Sequence, residues 1–286
     1  MNAVETEHLS KSYGKIRALE NLSLRVPRGS IYGLVGPNGA GKTTLIKILV
    51  GATRPTKGSV TVLGFDPIRD KWKLRRRIGY MPQAPALYDD LSARDNIRFF
   101  GKAQSVSDLE EKTEEILSFA ELTQRADDHV NTFSGGMKKR VSLCCALIHH
   151  PDILFLDEPT AAIDPHLKIQ CWILMRKLAA RGVTLLVSTH LMDEALLCDQ
   201  VAVLQNGEII ALDAPQKILE RGTTRLKIST GNQEISAILP STPRHLAFEL
   251  KKFGLREDIT AVELRSDNLE EIIMALMRET EKGRPR

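Results

Sequence analysis

The sequence predicts an α/β fold: a mostly parallel sheet covered by helices, joined by an antiparallel β subdomain, a helical subdomain over about 85–150 and a small C-terminal α+β appendage. Three observations predict it. An apolar run, a glycine-rich loop and a helical pattern follow one another from Ser30 to Val50. Two further apolar runs, Ile153 to Leu156 and Val183 to Ser188, end abruptly in polar residues, as buried parallel strands do at a ligand-binding edge. From residue 223 the pattern changes to short alternating strands and amphipathic helices.

Val4 to His8 and Leu22 to Val26 alternate as strands, the second ending at the turn signal Pro27-Arg28-Gly29. Tyr13, beside Gly14, offers a flat face to a purine; the alternative is an ordinary surface or half-buried tyrosine.

Ser30 to Val35 reads as a buried strand and Thr44 to Val50 as a helix. Between them Gly36-Pro37-Asn38-Gly39-Ala40-Gly41-Lys42-Thr43-Thr44 fits the pattern Gly-x-x-x-x-Gly-Lys-[Ser/Thr]. Glycines let the backbone curl so that successive N–H groups face anionic oxygens. Lys42 brings a point charge for β- and γ-phosphates, the Thr43 hydroxyl is a Mg²⁺ ligand, and the positive end of the following helix faces the phosphates. At average residue frequencies the fixed positions arise by chance in such a chain at roughly one per cent. The motif predicts a P-loop NTPase core.

A punctuated loop, Gly51 to Gly58, leads to a strand at Ser59 to Leu63 and a helix over Lys71 to Arg77. This helix carries the densest basic run, read as a solvated face, with a phosphate or lipid-headgroup contact as the alternative. Ile78 to Met81 is a short strand closed by Pro82 and followed by Gln83. Asp90 to Gly101 and Asp108 to Phe119 read as helices. Phe133-Ser134-Gly135-Gly136-Met137 opens a helix through Ile148, and its unpaired N–H groups suit an anion; a plain serine cap with glycine slack is the alternative.

At the end of the 153–156 strand stand Asp157 and Glu158: one carboxylate suited to Mg²⁺, the next to activating water, unless both are merely exposed loop acids. The 183–188 strand ends at Thr189-His190, where a histidine reaches a γ-phosphate or serves structure alone. Val201 to Leu204, Asn206-Gly207 and Glu208 to Ala211 form a hairpin. Beyond it, strands are expected at Arg225 to Ser229, Glu234 to Leu239 and Ile259 to Leu264. Helices are expected at Pro243 to Phe253 and Leu269 to Glu279, and a disordered tail from Glu281.

The chain has 286 residues, 42% hydrophobic and 27% charged, so it is long enough for one large domain plus a smaller one. A net charge of +4 argues neither for nor against a nucleic-acid partner, and no basic block is long enough to read as a nucleic-acid arm, so none is expected. Cys144, Cys145, Cys171 and Cys198 show no Cys-x-x-Cys spacing and read as buried thiols in a reducing compartment rather than a zinc site. The first residues lack the apolar core of a leader, and no apolar run approaches the roughly twenty residues of a membrane span. The expectation is a cytoplasmic protein that reaches a membrane only through a partner.

These motifs, in this order, resemble the ATP-binding subunit of an ABC transporter over residues 1–222, with 223–286 left as an accessory domain. The resemblance implies roles. Tyr13 would stack on adenine, residues 36–44 would wrap the phosphates of ATP, and Thr43, Gln83 and Asp157 would arrange Mg²⁺. Glu158 would polarise the attacking water, and His190 would contact the γ-phosphate. Ser134, Gly135, Gly136 and Met137 would form the signature that closes over ATP held by a second copy, and Asp164 would sit on the loop crossing between the two sites. Gln83 would also lie on the loop that senses a transmembrane permease subunit. Two residues depart from the family: Met137 stands where glutamine is usual, and Ala161 where serine is. The second would weaken a contact between subunits, and neither removes a catalytic role, because Glu158 and His190 are both present.

The resemblance implies a homodimer at the nucleotide-bound stage, placed on the cytoplasmic face of a membrane. The appendage looks like the extension of one exporter subgroup, which implies export of a drug, lipid or polysaccharide. A soluble relative acting on ribosomes or DNA is the rival; translation factors of that kind carry two cassettes, and repair proteins a long coiled coil that the interval before residue 133 lacks. A binding-only regulator is disfavoured by Lys42, Asp157, Glu158 and His190 standing together.

Overall fold

The computed structural model describes residues 1–161, 163–231, 233–254 and 258–282. Strand β1 (Asn2–Tyr13) turns at Gly14 into β2 (Ile16–Pro27). The strands run longer than the alternation alone suggests, because β-bulges between Thr6 and Ser12 absorb the breaks in the pattern. β3 (Ile31–Val35) leads through the glycine-rich loop to α1 (Lys42–Leu49), and β4 (Lys57–Val62) then pairs with β1, making a three-stranded antiparallel sheet in the order β2-β1-β4.

The short helix α2 (Lys71–Arg75) keeps Leu74 inward and its basic residues in solvent, as expected of a solvated face. β5 (Ile78–Met81) precedes α3 (Ala93–Ala103), α4 (Leu109–Phe119) and α5 (Gly135–Leu147). α3 starts three residues later than the apolar spacing suggests: Ser92 caps it, its Oγ accepting from the Asp95 N–H at 3.0 Å. α5 is buried nearly all round, so it has little amphipathic pattern.

β6 (Ile153–Asp157), α6 (Pro165–Ala180), β7 (Thr184–Thr189), α7 (Met192–Ala195), β8 (Gln200–Gln205) and β9 (Glu208–Asp213) complete the main sheet, in the order β5-β6-β7-β3-β8-β9. All its neighbours are parallel except the β8–β9 hairpin. α6, α7 and α8 (Pro215–Leu219) have no counterpart in the sequence reading. For α6 the signal was present: Asp164 caps it, Pro165 opens it, and Cys171, Leu174, Met175 and Leu178 recur at helical spacing on the buried side.

Alternation along the parallel strands builds two cores. Tyr32, Leu34, Phe155 and Leu186 face α1 and the antiparallel sheet, while Leu154, Leu156, Leu185 and Val187 face the helical layer. Asp157 and Glu158 are not exposed loop acids: they are 1% and 8% accessible. All four cysteines are free and buried, and burial pushes the Cys144 and Cys198 thiols up to about 12.

The last segment forms β10 (Thr223–Thr230), β11 (Glu234–Pro240), α9 (Pro243–Phe253), β12 (Ile259–Ser266) and α10 (Leu269–Lys282). Its sheet, in the order β11-β10-β12, has a small core of Leu226, Ile228 and Leu239. α10 leaves that sheet and buries Leu269, Ile272 and Ile273 in the core that also holds Ile218 of α8. At roughly 1.5–3 kcal/mol per fully buried side chain, these residues tie the appendage to the main body. Contrary to the expected disorder from Glu281, the helix continues through Lys282; the remainder of the expected tail lies outside the described residues.

Candidate functional site

Register decides where the site forms. Met81 pairs with Leu156, Asp157 with Ser188, and Val35 with Thr189, so the C-terminal ends of β5, β6, β7 and β3 lie side by side. The residues just beyond those ends are Gln83, Glu158, His190 and the Gly36–Thr44 loop. Four stretches far apart in sequence therefore leave the sheet at one edge.

Within the loop the glycines are required by close approach. A Cβ on Gly36 would lie 2.3 Å from the Leu204 carbonyl oxygen. On Gly41, held at φ +107°, it would lie 2.6 Å from the Ala18 carbonyl oxygen. Pro37, Asn38 and Gly39 are exposed at the loop crest and Ala40 is buried beneath it. No side chain caps the start of α1, which leaves its first N–H groups, around Lys42, Thr43 and Thr44, for an anion.

Lys42 is 5% accessible, and its Nζ donates to the carbonyls of Gly36 at 2.6 Å and Pro37 at 3.0 Å. Burial lowers its pKa, while the Glu158 and Asp157 carboxylates pull the other way. Glu158 has a left-handed backbone, φ +49°. Its Oε1 lies 3.8 Å from Lys42 Nζ and 3.5 Å from His190 Nδ1, and its Oε2 accepts from Gln83 Nε2 at 3.1 Å. One carboxylate thus gathers a lysine, a histidine and a glutamine, each from a different strand end.

Asp157 is fixed by Ser188, whose Oγ donates to Asp157 Oδ1 at 2.5 Å and accepts from the Glu158 N–H at 2.9 Å. Asp157 Oδ2 is buried with no hydrogen-bond partner. The unpartnered Asp157 Oδ2, the Thr43 hydroxyl and the Gln83 side-chain oxygen are all oxygen donors, and such a set would fit Mg²⁺ better than a softer metal.

The signature residues stand apart from this cluster. Ser134 caps α5, accepting from the Met137 N–H at 3.3 Å, so the plain cap and the anion-binding reading describe the same residue. Ser134 and Gly135 are exposed, and a Cβ on Gly135 would meet nothing within 4 Å. Gly136 packs against Ile163 and Leu167. Among the described residues no hydrogen bond joins positions 134–136 to residues 36–44 of the same chain. Met137 is half-buried with its sulfur near Arg125, and Asp164 is exposed as the cap of α6, its Oδ1 accepting from the Leu167 N–H at 3.0 Å. Tyr13 sits near the tip of the β1–β2 hairpin, 47% accessible, with Lys11 Nζ 4.7 Å from its ring centre; the same hairpin touches the phosphate loop at Gly41.

Sequence reasoning missed Ser188, Lys139 and Glu194. Lys139 was masked by the basic run around it, although it shares a helical stripe with Leu143 and Ala146. Glu194 looks like an ordinary first-turn acid of a short helix.

A parallel sheet, a phosphate loop and paired acids at a strand end define a nucleotide-hydrolysing cassette. Residues 19–161 match the ABC transporter family, and the chain belongs to that family. It is 39% identical over 251 residues to the Nod factor export ATP-binding protein I of Rhizobium meliloti (strain 1021), covering 85% of this chain and 75% of that one. It is 33% identical over 265 residues to the linearmycin resistance ATP-binding protein LnrL of Bacillus subtilis (strain 168), covering 90% and 85%. Among solved structures, an ATP-binding subunit of an ABC transporter superposes with a TM-score of 0.73 at 27% identity, covering 96% of this chain and 99% of that one. A dimeric cassette in a post-hydrolysis state with ADP and Pi superposes with a TM-score of 0.66 at 28% identity, covering 74% and 98%. The protein is an ATP-binding, ATP-hydrolysing subunit of this family, whose ATP-binding subunits dimerise and work with transmembrane permease components. Among the described residues no helix is long and apolar enough to cross a membrane.

Proposed function

We propose that two copies of this chain close face to face over Mg–ATP, and that closure and hydrolysis drive a separate permease to export a drug, a lipid or a polysaccharide. One observation carries the reading. Lys42, Gln83 and His190 converge on Glu158, while Ser134 and Gly135 are exposed at the start of α5 and, among the described residues, make no hydrogen bond to their own phosphate loop. A site whose γ-phosphate cap is exposed and unconnected to its own phosphate loop is incomplete until a second copy supplies that cap.

In this reading residues 36–44 hold the phosphates and Tyr13 stacks on adenine. Mg²⁺, held by Thr43, Gln83 and Asp157, would neutralise charge on the β- and γ-phosphates. Glu158 accepts hydrogen bonding from the attacking water and holds it in line; His190 and Lys42 balance the charge that develops on the transferred group. Ser134 with Gly135, Gly136 and Met137 covers the γ-phosphate of the opposite copy, and Asp164 lies on the loop between the two sites. Gln83, exposed at the sheet edge yet bonded to Glu158, is placed to report a permease contact to the hydrolytic centre.

Residues 1–222 form the ATPase domain and 223–286 an accessory domain, a division supported by the separate β11-β10-β12 sheet. Export is supported by a relative named for Nod factor export, and a drug as cargo by one named for linearmycin resistance. The protein sits at the cytoplasmic face of the membrane, held there by its permease, with no nucleic-acid partner.

The dimer is tested with Glu158→Gln, which keeps the shape of the site but slows water attack. At saturating Mg–ATP, light scattering should give twice the 31.9 kDa of one chain. A strictly monomeric species under those conditions would refute the sandwich.

A further inference from the structure

The backbone after Glu158 makes a tight turn, closed by the Ala161 N–H donating to the Glu158 carbonyl at 3.3 Å. Two buried charges from separate helices grip it. Lys139, on α5 two residues beyond the signature and 8% accessible, donates from Nζ to the carbonyls of Glu158 at 2.8 Å and Ala161 at 2.5 Å. Glu194, on α7 and 1% accessible, accepts from Thr160 Oγ1 at 2.6 Å with one carboxylate oxygen and from Thr189 Oγ1 at 2.7 Å with the other. Thr189 precedes His190 directly, and its Oγ also accepts from the Leu191 N–H at 3.0 Å. Lys168 Nζ, 3.1 Å from Glu194, supplies the countercharge.

Burying such ions is an inefficient route to stability, since well-packed apolar side chains of similar volume do as well or better. What the charges supply is direction. Lys139 fixes the carbonyl of the residue whose carboxylate meets Lys42, Gln83 and His190, and that residue is held in a left-handed conformation that a non-glycine residue rarely adopts. Glu194 ties the turn to the strand end that carries His190.

We propose that Lys139 and Glu194 are positioning residues for ATP hydrolysis: they clamp the 158–161 turn from both sides, aim the Glu158 carboxylate, and join it mechanically to the signature helix and to His190. The proposal rests on Glu158 being the water-polarising group. The polar partners of both residues lie in the 158–161 turn, at Lys168 and at Thr189 rather than in the 36–44 loop, so their loss should spare binding and slow chemistry.

The test uses Lys139→Met and Glu194→Ala in the full chain. In each, kcat should fall at least about tenfold while KM for ATP and the affinity for a fluorescent ATP analogue stay within about twofold. Added to Glu158→Gln, either replacement should lower the residual rate by less than about threefold, because the group being aimed is already gone. Lys139→Arg, which keeps a donor to both carbonyls, should restore most of the rate. Should the first pair not yield folded protein, Glu194→Gln carries the test: one of its ends cannot accept from a threonine hydroxyl, so kcat should drop by about three- to tenfold at unchanged KM. The clamp is overturned if kcat is retained, if KM rises in step with the loss, or if the losses add in full on Glu158→Gln. If Glu158→Gln alone leaves hydrolysis intact, the assignment of Glu158 fails instead, and the two failures are told apart by that single variant.

Discussion

Lys42→Met is expected to remove ATP hydrolysis almost entirely, lowering kcat/KM by at least about a thousandfold, because it deletes the one buried cation of the phosphate loop. The lysine now bridges the Gly36 and Pro37 carbonyls and faces the Glu158 carboxylate at 3.8 Å. Its site already lowers the ammonium pKa by burial, so the ion is short of solvation and a polyphosphate is a better partner than the two carbonyls. Methionine fills similar space and brings no charge. Without the cation, Glu158 and Asp157 would repel the incoming phosphates, and ATP affinity should fall by about a hundredfold, read by titration of a fluorescent analogue. Unchanged affinity would mean that the backbone N–H groups and Mg²⁺ hold the phosphates unaided.

Glu158→Gln is expected to do the reverse to binding and nearly as much to turnover. A glutamine retains an oxygen for the Gln83 amide and keeps the turn intact, but it neither accepts a proton nor polarises water as a carboxylate does. The hydrolysis rate should fall by about 10²–10⁴-fold, the range for loss of a general base, while ATP affinity holds or rises because one negative charge has left the phosphate side. Steady-state phosphate release and equilibrium titration separate these effects. A variant with more than a tenth of the parental rate would show that another group activates the water, and would move attention to His190.

What the sequence made legible was whatever chemistry demands in a fixed local pattern. The phosphate loop needs its glycines at set positions because the backbone passes within van der Waals distance of Ala18 and Leu204. Asp157 and Glu158 stood out because acids rarely end so apolar a strand, and His190 because it closes the neighbouring one. The parallel register then brings them together, and nothing local to any one motif specifies that register. Lys139, Ser188 and Glu194 were opaque for a different reason. Their importance lies in what they touch across the fold, and each sits in a stretch where a lysine, serine or glutamate is unremarkable by type. α6 went unread although its spacing was regular, and α10 was legible as a helix but not as a strut of the main core, since an amphipathic face does not say which surface it covers.

The central claim is that each hydrolytic centre is assembled from two copies, and complementation between defective chains tests it most directly. Lys42→Met destroys the phosphate loop and leaves the signature whole. Gly135→Asp does the opposite: its side chain has open space in the single chain, so the fold tolerates it, but it sets a carboxylate against the γ-phosphate of a partner's ATP. Each variant alone should be inactive, and an equimolar mixture should recover about a quarter of the parental ATPase rate, because half of the dimers are mixed and each has one intact site. A mixture as inactive as its components, with both variants folded and mixed dimers present, would contradict the account.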